Sequence, residues 1–206
     1  MPRPARSARS PQPATGRAAP GRVRIIGGRY RRTPIRVVDA PGLRPTPDRV
    51  RVTLFNWLEH LLGDWSEVRV LDLFAGSGAL GFECASRGAR HVTLIESHPR
   101  AAAALRQLLA RLDGAPASIV EDDWRAALAR LDAASCELVL LDPPFDADLL
   151  PAAIGAALRV LRPGGLLYVE SARALDAAQR TAWPLELVRE DRAGAVFFHL
   201  LRARAC

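Results

Sequence analysis

The chain has 206 residues, 49% of them apolar, which suits one domain with a true core and a short appendage. No run approaches the roughly 18 uncharged apolar residues of a membrane span, no signal-peptide pattern opens it, and Cys84, Cys136 and Cys206 have neither disulfide nor metal-ligand spacing, so a soluble, cytoplasmic protein without a metal is expected. All 29 basic residues are arginine, and the +7 charge is uneven: residues 1–51 hold 13 Arg against Asp39 and Asp48 (+11), the remainder 16 Arg against 20 acids (−4), a basic leader on an acidic body that points to a polyanionic partner.

Residues 1–21 are rich in Pro, Ala, Ser and Arg without periodicity and read as a disordered tail. Residues 22–65 read as an extension. It begins with a hairpin, VRIIGGRYRRTPIRVV, and continues as a helix opened by Thr46-Pro47-Asp48 as N-cap, first-turn proline and first-turn acid. Val50, Leu54, Trp57, Leu58 and Leu61 give that helix one apolar face.

Residues 66–206 form the main domain. Strand-like runs at 68–73, 91–96, 117–120, 137–142 and 165–170 alternate with helical stretches near 79–87, 99–112, 124–131 and 147–161. Such alternation predicts an α/β fold, a mostly parallel Rossmann-like sheet with helices on both faces. Runs at 184–190 and 195–203, separated by Asp191-Arg192-Ala193-Gly194, predict an antiparallel hairpin at the end.

Ligands of open α/β sheets sit beyond the carboxyl ends of the strands. The first strand ends in Asp72-Leu73-Phe74-Ala75-Gly76-Ser77-Gly78, the second in Glu96-Ser97, the fourth in Asp142-Pro143-Pro144-Phe145, and the third is followed by Asp122-Asp123-Trp124. Gly76-x-Gly78-x-x-Gly81 with Glu96 downstream also fits a dinucleotide, so an NAD(P)-dependent oxidoreductase stays open. An acid at the strand tip, however, would repel a pyrophosphate and attract the cationic amino group of S-adenosylmethionine. The strand-end acids suit that cofactor: Asp72 at the amino group, Glu96 at the ribose hydroxyls, Asp123 (or Asp122) at the adenine amino group, and Trp124 stacked on or flanking the adenine. The four histidines look structural.

These motifs resemble the class I methyltransferases and, more narrowly, the RsmD family of small-subunit rRNA guanine-N2 methyltransferases. The markers are Arg24-Ile-Ile-Gly-Gly28, Arg44-Pro-Thr-Pro-Asp-Arg-Val-Arg51, Leu54-Phe-Asn-Trp-Leu58, the glycine loop and Asp142-Pro-Pro-Phe145, within a resemblance running from residue 22 to about 204. Where the family usually carries a glutamate, this chain has Val52.

The resemblance implies methyl transfer from S-adenosylmethionine to the exocyclic N2 of guanine 966 of 16S rRNA, in an assembled or assembling small subunit, a partner large enough that a monomer is expected; no metal is expected. It implies that Asp142 and the Pro143 carbonyl accept from the target amine and that Phe145 stacks on a flipped base, with Pro144 stiffening the segment. Alignment alone supplies roughly 7–11 kcal/mol to such a reaction, and because the methylated, cationic amine has a lowered pKa, no strong general base is expected. Phosphate contacts are expected from Arg24, Arg29, Arg31, Arg44, Arg49 and Arg51, with Arg22 and Arg32 as further candidates. An adenine-N6 methyltransferase shares the Asp-Pro-Pro-aromatic logic, and a noncatalytic RNA-binding module is the alternative outside enzymes.

Overall fold

The computed structural model describes residues 23–38, 46–144, 149–176 and 182–204; the tail, Arg22, Arg44 and Phe145 lie outside the described residues. In chain order the elements are β1 (Val23–Arg24), β2 (Pro34–Ile35), α1 (Asp48–Leu62), β3 (Arg69–Asp72), α2 (Gly81–Ser86), β4 (His91–Ile95), α3 (Pro99–Leu109), β5 (Ala117–Val120), α4 (Trp124–Ala129), β6 (Cys136–Leu141), α5 (Leu150–Val160), β7 (Leu161–Ser171), β8 (Leu185–Ala193) and β9 (Val196–Ala203). Seven strands make one sheet in the order β5-β4-β3-β6-β7-β9-β8. The first five run parallel, and β9 and β8 add on antiparallel, as the closing hairpin predicted.

The central strands are apolar on both faces because helices cover both. Leu138, Val139, Leu140 and Leu141 of β6 are each 0% exposed. Alternate residues sort onto two cores. Val70, Leu94, Leu138, Leu140 and Tyr168 pack with apolar residues of α1, α2 and α3. Leu71, Ile95, Val139, Leu141 and Val169 pack with α4 and α5. Strand order reverses between β3 and β6, where two chain connections leave in opposite directions and open a crevice.

The extension shares the first core: Val23, Ile25, Ile35, Val50, Leu54, Phe55 and Leu58 are all buried there. Its Gly27-Gly28 turn is clamped to α2. The Glu83 carboxylate accepts the Ile26 and Gly27 N–H groups at 2.6 and 2.8 Å. Ser86 accepts the Arg29 N–H on its carbonyl at 2.7 Å and the Tyr30 N–H on its hydroxyl at 2.9 Å. Arg87 pairs with Glu83 at 2.9 Å and with Glu59 of α1 at 2.6 Å, so one guanidinium joins α2, α1 and the turn.

Among the differences from expectation, β8 runs on through Asp191-Arg192-Ala193, the stretch expected to turn, and two more bear on the site. Thr46 does not cap α1: Pro47 holds the cap position without a side-chain bond, and the Thr46 hydroxyl is used elsewhere. Strand β7 starts at Leu161 rather than 165, running through Arg162-Pro163-Gly164-Gly165, because Leu161 pairs with Cys136 before an irregularity in the ladder. Pro-Gly-Gly signals a turn locally; pairing with β6 overrides it.

Candidate active site

The carboxyl end of the sheet opens into a cavity of about 670 Å³. Its walls come from the glycine loop (Phe74–Ser77), the ends of β4 and β6, the Asp122–Arg125 segment and, from the extension, Val37, Val38, Thr46 and Pro47. Every cofactor position expected from the sequence lines it except Gly78, and so do Asp142, Pro143 and Pro144.

The glycine loop is held by acids. Gly81 N–H donates to Asp72 Oδ2 at 3.0 Å, so the strand-end acid ties down the start of α2. Glu96 accepts Gly76 N–H at 2.8 Å on one oxygen and His98 N–H at 2.7 Å on the other, fixing the loop against the end of β4. Gly78, at φ +78°, could not carry a side chain: a Cβ would lie 2.6 Å from Leu105 and Phe82. Gly78 is therefore buried beneath the loop, packing it down, while Gly76 and Ser77 face the cavity.

Asp72 is 2% exposed. Burial pushes its carboxyl up to about 7, the nearby Asp142 and Glu96 charges add to the rise, and the Gly81 N–H bond opposes it. Asp142 is half-buried, its open part on the cavity, and loss of solvent lifts its carboxyl to about 7 against the opposing Thr46 hydrogen bond. Thr46 Oγ1 donates to Asp142 Oδ2 at 3.1 Å. No ion pair to a basic side chain is formed by Asp72 or Asp142 among the described residues. Crowded acids without a cation are what a cationic ligand would stabilise, so the residues present fit S-adenosylmethionine, whose sulfonium and amino groups both carry positive charge.

The adenine end is less open than expected. Asp123 caps α4, accepting Arg125 N–H at 2.8 Å, and Asp122 accepts the Asp123 N–H at 2.8 Å and pairs with Arg130. Trp124 is 7% exposed, packs against Phe74 at 5.9 Å between ring centroids, and has the Arg125 guanidinium over its ring at 4.2 Å. Phe74, half-buried on the cavity wall, is the more available ring of the two.

Among the arginines, one expectation is corrected. Arg51 is 0% exposed: its guanidinium donates to the Arg24 carbonyl at 2.8 Å and to Asp48 at 2.6 Å, tying β1 to α1 where no phosphate can reach it. The sequence did not show this, because two residues along a helix turn the side chain to the far side of the axis, so Arg49 and Arg51 meet different surroundings. Arg24, Arg29, Arg31, Arg32 and Arg49 are exposed. Arg24, Arg31 and Arg32 ring a second hollow of about 320 Å³, with Val52 and Asp48 on its wall. The hollow and the cavity meet at the start of α1, where Pro47 lines the cavity and Asp48 the hollow.

Among the cavity residues that the sequence reading did not place in the site, Thr46 and Glu170 stand out. Thr46 was assigned to a helix cap. Glu170 stands one residue before the end of β7, as Asp72, Glu96 and Asp142 end or follow their strands, so the rule that found those acids could have found it; the third-to-last strand was read only for its apolar run.

The whole arrangement has relatives. A family model described as "Conserved hypothetical protein 95" matches residues 23–202. "Ribosomal RNA small subunit methyltransferase D" of Escherichia coli (strain K12) is 38% identical over 190 residues, covering 90% of this chain and 92% of that protein. The protein of the same description from Haemophilus influenzae is 36% identical over 187 residues, with 88% and 94% covered. The solved structure of yhhF from Escherichia coli matches with a TM-score of 0.75 and 36% identity, over 90% of this chain and all of that one. With its strand order, its glycine loop under an acidic strand tip and its antiparallel closing hairpin, the chain has a Rossmann-like class I methyltransferase fold and belongs to the Conserved hypothetical protein 95 family, that of the small-subunit ribosomal RNA methyltransferases D.

Proposed function

We propose that this protein transfers a methyl group from S-adenosylmethionine to the exocyclic N2 of a guanine in small-subunit rRNA, the base numbered 966 in 16S rRNA, acting as a monomer on an assembled or assembling subunit. The observation that carries this reading is the single cavity lined by both the glycine loop with Asp72 and Glu96 and the Asp142-Pro143-Pro144 segment, donor and acceptor halves of one reaction. The bound cofactor supplies an already activated methyl group. What remains for the chain is orientation. Asp142 and the Pro143 carbonyl accept from the amine and turn its lone pair toward the methyl, while the stiff Pro-Pro segment fixes their spacing. Phe145 is assigned the stacking contact with the flipped base. Purified protein should transfer labelled methyl to hypomethylated small subunits, and digestion to nucleosides should yield N2-methylguanosine. N6-methyladenosine would move the assignment to adenine, and no transfer despite cofactor binding would end it.

Cofactor affinity should depend on pH. In the free protein Asp72 is protonated below about 7 and cannot then attract a cation. Binding favours the ionised form, so affinity should climb as pH rises through about 7, until the cofactor's own α-amino group begins to lose its proton near about 8. Calorimetry between pH 6 and 8.5 checks this; 5′-methylthioadenosine, which lacks both the amino group and the sulfonium, should show no such rise. A flat profile for S-adenosylmethionine would remove Asp72 from contact with the cation.

The basic hollow beside the cavity supports RNA phosphates as the polyanion. Replacing Arg31 with alanine should weaken RNA binding across sequences and reduce the slope of log affinity against log salt by about 1. Arg51→Ala should instead lower the melting temperature. Equal salt slopes for wild type and Arg31→Ala would take Arg31 off the RNA surface.

A further inference from the structure

The second hollow, between the β1–β2 turn and the first turns of α1, has about 320 Å³, at the small end of the roughly 300–1,000 Å³ of ligand pockets. Arg24, Arg31 and Arg32 stand on its wall, and none of the three forms an ion pair among the described residues. Its one acid is already matched: Arg51 Nη2 pairs with Asp48 Oδ1 at 2.6 Å. The three guanidinium charges are therefore uncompensated.

Arg32 adopts φ +71°, the left-handed region that favours glycine. Its N–H donates to the Ile25 carbonyl at 2.8 Å and closes the hairpin. A glycine would make this turn without strain. The fold instead holds an arginine where the backbone disfavours one, and strain of this kind clusters at functional sites.

The rest of the wall is apolar. Val52 is 43% exposed, the one large hydrophobic side chain so exposed among the described residues, and Ile25 and Ile26 line the same hollow. A phosphate alone has no use for an apolar wall. A nucleotide has, since an unstacked base offers an apolar face beside its phosphate. Pro47 lines the cavity and Asp48 the hollow, so a strand whose target base enters the cavity passes the hollow with a nucleotide next to that base.

We infer that the hollow holds a nucleotide flanking the target in an unpaired stretch of RNA, its phosphate on Arg24, Arg31 and Arg32 and its base against Val52. This rests on the proposed reading of the cavity, and it goes beyond a general phosphate surface by requiring a single strand. A duplex keeps its base faces stacked and offers the hollow only phosphates.

The test measures binding of a short single-stranded RNA containing guanine, and of its duplex, to wild type, R32G and V52S over a range of salt concentrations, with melting temperatures for all three proteins. Wild type should bind the single strand more tightly than the duplex. R32G should weaken strand binding about tenfold and lower the slope of log affinity against log salt by about 1. Its melting temperature should hold or rise, because glycine relieves the backbone; a purely structural Arg32 predicts the reverse. V52S should weaken the strand about 4- to 15-fold, the worth of one or two buried methyl groups, at an unchanged salt slope, and leave the duplex as it was. R32G matching wild type in affinity and slope, V52S weakening neither form or both equally, or a wild type without preference for the strand overturns the inference. Methyl transfer to hypomethylated small subunits is assayed alongside. Transfer by a wild type that R32G matches in RNA binding removes the hollow and leaves the reaction; the strand-specific losses without transfer by any of the proteins leave the hollow and remove the reaction.

Discussion

Asp142→Ala should lower methyl transfer by about 10²–10⁴-fold, the range of a positioned proton acceptor, while cofactor affinity changes little. In the proposed reaction the amine lone pair is delocalised into the base, and Asp142 is the side chain assigned to draw its N–H away and leave the lone pair facing the methyl. The loss should fall on kcat, because the interaction strengthens as the nitrogen gains positive charge. The fold should not suffer. Asp142 is a desolvated carboxyl with a raised proton affinity, so its removal relieves an unfavourable burial rather than breaking a support. Single-turnover rates with calorimetry on the same preparation check both halves. Turnover within twofold of wild type would remove Asp142 from the chemistry, and a collapse of cofactor binding would make it a cofactor residue.

Gly28→Ala should be the most damaging single methyl in the extension. Gly28 sits at φ +72°, and a Cβ there would lie 1.9 Å from the Ser86 carbonyl oxygen. The dihedral alone costs about 1–3 kcal/mol for a non-glycine residue. The overlap adds more, because relieving it separates Gly27–Tyr30 from Ser86 and Glu83 and opens bonds worth about 1 kcal/mol each. A total near 3–5 kcal/mol corresponds to roughly 6–20 °C in melting temperature for a chain of this size. Gly88→Ala is the control: its φ of +97° imposes comparable backbone strain, but nothing lies within 4 Å of its Cβ position. A melting temperature for Gly28→Ala within 2 °C of Gly88→Ala would show that the turn is not held on α2 as described. Because Val37, Val38 and Thr46 of the same extension wall the cavity, the loosened variant should also lose turnover at temperatures where it is still folded.

Much of this is legible in the sequence. Strand and helix order followed from periodicity, because strands buried on both faces are continuously apolar and helices repeat near 3.6 residues. The acids at strand ends were legible for a related reason: a carboxylate cannot continue a buried apolar run, so Asp72, Glu96 and Asp142 mark where the sheet meets a polar cavity. The same logic applied to Glu170, whose strand was long and apolar enough to be read as core alone.

Local sequence did not distinguish partners that meet only through folding. Thr46 precedes a proline and an acid, a pattern that describes a helix start equally well whether its hydroxyl caps the helix or, as here, reaches Asp142 96 residues away. Arg49 and Arg51 are alike in an arginine-rich stretch, yet a two-residue step around α1 puts one in solvent and the other wholly inside, against the Arg24 carbonyl. Asp123 and Trp124 carry residue types suited to an adenine, but the start of α4 takes the first as its cap and Arg125 covers a face of the second. The amino-acid order by itself determined the sheet, its helices, the glycine loop and the acids at the strand ends, since those depend on burial period and backbone conformation. Only the tertiary structure decided which polar groups are spent holding one another and which remain for a ligand, because a hydrogen bond or a buried charge is settled by three-dimensional neighbours rather than by adjacency along the chain.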